Sequence, residues 1–320
     1  MNKINDQFFE VNMTNPAKKE IWAVAGGKGG VGKSFLSSNL SIDLAQQNNR
    51  VVLIDADFGG ANLHTFFGAN NSKISISDFI KSNQLDLEEI LIPTGVKNLL
   101  LASGAHDIIG LSNPNLFQQN KLMKAINFLK CEYVIIDLGA GNAPYTLDLF
   151  LMADHGVLVT APEPTSVENT YRFIKSAFYR KLKSVISHTG VKELLERITE
   201  SKNEDNPQTP SELIKEISNI NYQAGETLKY EIASFCPKLI INQVRTPSDV
   251  RIGFSMKQAC LKYFGINIDY CGFIEHDKTV LQSIRIRKPV ILYAPNSTVS
   301  SCIKRVGHNI RQNFHLVPTS

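Results

Sequence analysis

The chain has 320 residues, 43% of them hydrophobic, enough to bury the core of one large α/β domain or two smaller ones. A net charge of +4 is too mild to demand a nucleic-acid partner. Five singly spaced cysteines without a C-x-x-C pair argue against a disulfide framework and for a reduced, cytoplasmic protein.

Residues 1–19 are polar apart from Phe8, Phe9 and Val11, and read as a tail or a short docking helix, with no basic-then-apolar leader. Ile21 to Ala25 is a short apolar run ending in glycines, the pattern of a buried parallel strand. Gly27 to Ser34, GKGGVGKS, then fits the phosphate-loop pattern G-x-x-x-x-G-K-[ST]. Glycines let the backbone curl so that its N–H groups converge on phosphate oxygens. Lys33 supplies a charge for the β- and γ-phosphates, and the Ser34 hydroxyl is a ligand for Mg²⁺. A helix is predicted to follow, with Leu36, Leu40 and Leu44 on one face and its N-terminal end toward the anion.

Val51 to Asp55 is a second buried strand, and Asp55 and Asp57 stand two residues apart at its C-terminal end, the rim where doubly wound sheets bind ligands. Such a pair suits one Mg²⁺–water shell and one attacking water. Residues 70–104 predict a short helix over Ile76 to Ile80 and short strands over Ile90 to Pro93 and Asn98 to Ala102. Leu122, Ile126 and Leu129 have helix spacing within Leu116 to Leu129. Tyr133 to Asp137 is an apolar strand ending in an acid that can hold a Mg²⁺ water, and the glycines after it, including Gly139, permit close approach to a γ-phosphate. Gly156 to Thr160 is another strand. Residues 180–232 turn polar, with amphipathic helices predicted over Val191 to Ile198 and Leu213 to Ile220 and an exposed loop at Asn203 to Pro207. Strands resume at Lys238 to Arg245 and Ile268 to Ile274, and a final helix carries Ile303, Val306 and Ile310 on one face. Read singly, the glycine loop is a turn and the acidic strand ends are ordinary turns or core strands; together and in this order they specify a nucleotide site. Alternating strands and helices predict an α/β, doubly wound, mostly parallel sheet of about seven or eight strands.

Gly-Lys-Gly-Gly-Val-Gly-Lys-Ser resembles the deviant phosphate loop of the ParA/MinD family of P-loop ATPases, and the likeness spans roughly residues 20–175 and 235–310. The resemblance implies ATP and Mg²⁺ as ligands, with Gly27, Gly29, Gly30, Val31, Gly32, Ser34, Phe35 and Gly139 as nucleotide contacts. It also implies that Lys28 reaches the partner subunit's nucleotide in a homodimer formed on ATP binding. Asp55-x-Asp57 resembles the switch I motif, which makes Asp57 the residue that orients the hydrolytic water; Asp55, with Ser34 and Asp137, serves Mg²⁺. Gly139 stands where the family more often has proline. Glu163 falls in a segment that resembles one along the family's dimer interface. Asn242 matches an asparagine at the adenine edge and Asp277 a region near adenine and ribose, although Glu275-His276 departs from the family's proline there.

Within the family the chain is most similar to the MinD-like flagellar-number regulators (FlhG, FleN, YlxH), whose N-terminal motif Asp6-Gln7 begins and Phe8 departs from. That branch implies a protein that stimulates hydrolysis, an FlhF-like GTPase or a MinE-like activator, and control of a flagellum or of division or polar machinery. The domain is expected over 20–311, with an insertion near 180–232 and a tail at 312–320 too short and too weakly basic for a lipid anchor, so that any membrane or polar location comes through a partner. Competing readings are a ParA-type partition ATPase that binds DNA, and a biosynthetic synthetase or metal-cofactor maturation ATPase of the same fold. An iron–sulfur role needs paired cysteines, which the spacing does not offer.

Overall fold

Short apolar strands buried on both faces need helices on each side, and the chain meets that need with one eight-stranded sheet. The structure, a computed structural model, describes residues 19–68, 74–104, 114–189 and 210–317. Strands β1 (Glu20–Ala25), β2 (Val51–Ala56), β3 (Leu91–Pro93), β4 (Leu99–Ala102), β5 (Tyr133–Leu138), β6 (His155–Thr160), β7 (Lys238–Val244) and β8 (Asp269–Glu275) lie in the order β3-β4-β2-β5-β1-β6-β7-β8. Neighbours run parallel except at the β3–β4 edge, so the predicted doubly wound, mostly parallel sheet is the one that forms.

The helices are α1 (Lys33–Gln46), α2 (Leu63–Phe66), α3 (Ile76–Lys81), α4 (Leu116–Phe128), α5 (Pro144–Met152), α6 (Pro164–Thr189), α7 (Pro210–Ile220), α8 (Tyr222–Ser234), α9 (Pro247–Ala259), α10 (Lys278–Arg285), α11 (Val290–Tyr293) and α12 (Thr298–Arg311). Along the central strand β1, Ile21, Ala23 and Ala25 pack into one apolar layer and Trp22 and Val24 into the other, as period-two alternation requires. The first layer holds α5 and α6, joined by an edge-on contact of Phe150 with Phe173 at 5.0 Å. The second holds α1, α11 and α12.

Leu36, Leu40 and Leu44 are buried as their spacing predicts. The polar residues of α1 are buried too, between the sheet on one side and α11 and α12 on the other. The hydroxyls of Ser38 and Ser41 donate locally, to the carbonyls of Phe35 and Ser37, and that of Ser37 is shared between the Lys33 carbonyl and the Asp137 carboxylate. Asn39 donates to the Phe35 carbonyl and accepts from the Ile291 N–H, which ties α1 to α11.

The polar stretch after β6 carries the helix predicted over Leu213 to Ile220 but differs from the sequence reading on either side of it. Helix α6 continues to Thr189, α7 starts at Pro210, and a further helix, α8, leads back to β7. Helix α8 packs on α6 through buried Leu228 and a Lys181–Glu231 ion pair at 3.1 Å, and beyond its end Phe235 meets Phe178. The helix predicted over Val191 to Ile198, the loop at 203–207 and the Asp6-Gln7 segment lie outside the described residues. The stretch after α12 is seated against the sheet edge: the Leu316 N–H donates to the Tyr270 carbonyl, and Asn313 accepts from Lys238, itself paired with Asp269 at 2.7 Å. Among the described residues no helix is long and apolar enough to cross a membrane.

Because Leu40 is fully enclosed between sheet and helices, Leu40→Ala is expected to lower unfolding free energy by about 2–5 kcal/mol. Ser41→Ala, which removes only a bond back along the helix, is expected to cost under about 1 kcal/mol. Denaturant titration of both variants checks the contrast.

Candidate functional site

The loop between β1 and α1 is shaped by what presses on it. A methyl at Gly27 would lie 2.3 Å from the Asn169 carbonyl oxygen, so the loop passes directly over the backbone of α6. Gly32 has φ of 98°, a left-handed conformation suited to glycine, and stands as the N-cap of α1 with no side chain capping that end. The first-turn N–H groups of a long helix are thus open to an anion. They give onto a cavity of about 540 Å³ lined by Gly29, Gly30, Gly32, Lys33, Ser34 and Phe35 on this side. Of the other predicted loop contacts, Gly27 backs onto α6, and Val31 buries its side chain in the core beside α1.

Asp55 and Asp137 face each other across the β2–β5 register, each about 1% exposed. The Asp55 carboxylate accepts the Leu63 and Asp57 N–H groups at 3.1 and 3.3 Å. Asp137 accepts the Ser37 hydroxyl at 3.0 Å and is hydrogen-bonded to Ser34 as well. Burial pushes Asp55 up to about 7, and the neighbouring Asp137 adds to the shift. Burial likewise raises Asp137 to about 6, against the opposing effects of Ser34 and Lys33. Two buried carboxylates and a hydroxyl on adjoining elements form an oxygen-only donor set, which fits a hard, partly hydrated cation such as Mg²⁺.

Asp57 lies nearer the surface and lines the cavity, its Oδ1 accepting the Gly59 N–H at 3.3 Å. Gly139 stands behind it rather than in the cavity wall: a methyl there would be 3.2 Å from that Oδ1. Ala140 is the residue that reaches the cavity. The glycine in place of a proline therefore keeps room for the Asp57 carboxylate.

The far wall comes from β7, β8 and α10. Asn242 and Asp277, which the resemblance put near adenine and ribose, both line it. The Asp277 carboxylate caps α10 by accepting the Thr279 N–H at 2.8 Å, and hydrogen bonds from the Thr279 hydroxyl and this N–H hold it below the usual range. Phe66, Ile274, Val280, Leu281 and Ile284 give this wall an apolar surface that sequence reading missed, although the spacing of Val280 and Ile284 after a helix cap was a usable signal. Lys28 turns elsewhere. Its Nζ donates to Glu163 Oε2 and Thr165 Oγ1, both at 3.2 Å, at an exposed surface.

Asp55 binds its proton more tightly in the folded chain than at its ordinary value of 3.8. Ligand-free stability is therefore undiminished by this group below about 4 and declines as pH rises toward about 7. Asp55→Asn is expected to raise the ligand-free Tm at pH 8 by a few degrees and to leave it nearly unchanged at pH 4. Thermal unfolding by circular dichroism at both pH values checks this; a Tm lowered at pH 8 contradicts it.

Comparison with known proteins gives a family. The family model described as ParA, NUBPL iron-transfer P-loop NTPase, matches residues 17–206, more than half the chain. The antiactivator FleN of Pseudomonas aeruginosa is 34% identical over 160 residues, 49% of this chain and 55% of that protein. The flagellum site-determining protein YlxH of Helicobacter pylori is 26% identical over 91% of this chain and 82% of its own length. The chain thus matches about half the length of FleN and most of YlxH. In structure it resembles the septum site-determining protein MinD of Pyrococcus horikoshii in complex with Mg-ADP, at a TM-score of 0.61 and 19% identity over 92% of this chain and 97% of that one. A phosphate loop at the C-terminal rim of a doubly wound sheet and the match over residues 17–206 agree, and the chain belongs to the ParA family of P-loop NTPases.

Proposed function

We propose that this chain is an ATP-dependent dimerising switch, hydrolysing ATP to ADP and phosphate, that sets the number or position of a flagellum; the name of YlxH, a flagellum site-determining protein, supports the flagellar part. The observation that carries the reading is the division of labour between the loop's two lysines. Lys33 is buried and lines the cavity, whereas Lys28 projects at the surface beside the N-terminal end of α6. A cation so placed suits a second copy's nucleotide better than its own.

In this reading the open N–H groups of the loop and Lys33 hold the β- and γ-phosphates, and the apolar wall at Ile274, Val280 and Ile284 receives the base. Ser34, Asp137 and Asp55 would hold Mg²⁺, which when bound neutralises phosphate charge. Asp57, at the cavity edge, positions the attacking water, and the partner's Lys28 adds positive charge opposite the leaving group. Departure of phosphate removes the charge that draws the two copies together. A protein partner that speeds hydrolysis fits a switch whose catalytic lysine must arrive from outside.

The iron-transfer description of the family suggests a second use, and the cysteines weigh against it. Cys131, Cys260 and Cys271 are buried and pushed up to about 12 by burial, and half-buried Cys236 to about 11, and among the described residues no cysteine belongs to a group of three or more His, Cys, Asp or Glu able to hold a metal ion.

Lys33→Ala is expected to weaken ATP binding at least about 30-fold by calorimetry, in keeping with loss of a charged contact. Lys28→Ala is expected to keep ATP affinity within about threefold and to lose ATP-dependent dimerisation in light scattering. Asp57→Ala is expected to lower kcat by about 10²–10⁴ and to leave a persistent ATP-bound dimer on gel filtration; an ATP-bound monomer contradicts its role.

A further inference from the structure

Strand β7 carries an irregularity at the point where it meets the phosphate loop. Ile241 pairs with Phe273 and Val244 with Glu275, so three steps along β7 oppose two along β8. One residue is extra, which is a β-bulge. Within it Gln243 has φ of 63°, a left-handed conformation that a glutamine rarely takes. In a regular strand neighbouring side chains point to opposite faces of the sheet. Here both reach the same loop: Asn242 Nδ2 donates to the Val31 carbonyl at 2.8 Å and Gln243 Nε2 to the Gly30 carbonyl at 3.3 Å.

The consequence follows from the planarity of the peptide unit. In a trans peptide the C=O of one residue and the N–H of the next point in opposite directions. Anchoring the Gly30 carbonyl therefore turns the Val31 N–H away from β7, and anchoring the Val31 carbonyl does the same for the Gly32 N–H. Among the described residues neither N–H has a protein partner, as a group reserved for a ligand should not. The contact is also tight: a methyl at Gly32 would lie 2.2 Å from Asn242 Nδ2.

We propose that Gln243 is a positioning residue which, with Asn242, fixes the phosphate-loop peptides in their anion-binding orientation, the strained bulge existing to bring both amides to adjacent carbonyls. The idea rests on the ATP reading above and adds to it a device outside the loop. Asn242 acts through its Nδ2 on the loop, which leaves its Oδ1 for the base edge.

The test is Gln243→Gly, which removes the amide while suiting the left-handed backbone, so that the fold is kept. ATP dissociation constants by calorimetry and ligand-free Tm are measured together, with Gln243→Arg as a variant that restores a donor of similar reach. The expected result is about fivefold to tenfold weaker ATP binding for Gln243→Gly, with a Tm equal to or above the native one and recovery to within about twofold in Gln243→Arg. Native ATP affinity in Gln243→Gly overturns the proposal, as does a loss of affinity accompanied by a lower ligand-free Tm. If the native chain itself binds no ATP, the functional reading fails first and the proposal falls with it.

Discussion

Backbone amides hold a triphosphate only while their peptide units are kept from turning to face the protein, and the rest of this structure is arranged around that condition. The loop from Gly27 to Ser34 is clasped on both sides: the backbone of α6 at Asn169 closes against Gly27, and the side chains of Asn242 and Gln243 hold the carbonyls of Val31 and Gly30. Helix α1 then begins without a side-chain cap, so its open N–H groups add to the same field. Sheet, flanking helices and bulge act as a rigid frame for one short glycine-rich turn.

Charge is arranged to match. Asp55 and Asp137 are raised chiefly by burial, with Asp137 adding to the rise of Asp55, and among the described residues no cationic side chain is hydrogen-bonded to either. Lys33, buried at the cavity, opposes the rise of Asp137 without cancelling it. In the proposed reading, a metal at the carboxylates and phosphates at Lys33 would satisfy complementary halves of one unbalanced site.

The parts dictated by chemistry were legible in the sequence. Gly32 has the backbone angle that only glycine adopts readily, Lys33 and Ser34 open α1 directly after it, and Asp55 and Asp137 stand near the ends of strands whose apolar runs announce them. What escaped depended on register and on long-range packing. An Asn-Gln pair at a strand end says nothing about an extra residue, since the bulge exists only relative to β8. Helix α8 was missed because Gly225 interrupts its pattern, and the reason for that glycine is tertiary: a methyl there would lie 2.0 Å from Ser218 Oγ on α7. The burial of the polar side chains of α1 was equally hidden, since a partner such as Ile291, bonded to Asn39, lies more than 240 residues further along the chain.

The central claim is that triphosphate binding joins two copies and its cleavage parts them. The most direct measurement is the solution mass of the native chain by multi-angle light scattering, ligand-free and with Mg²⁺ and either a non-hydrolysable ATP analogue or ADP. The account predicts a doubled mass with the analogue alone. The same mass under all three conditions would contradict it.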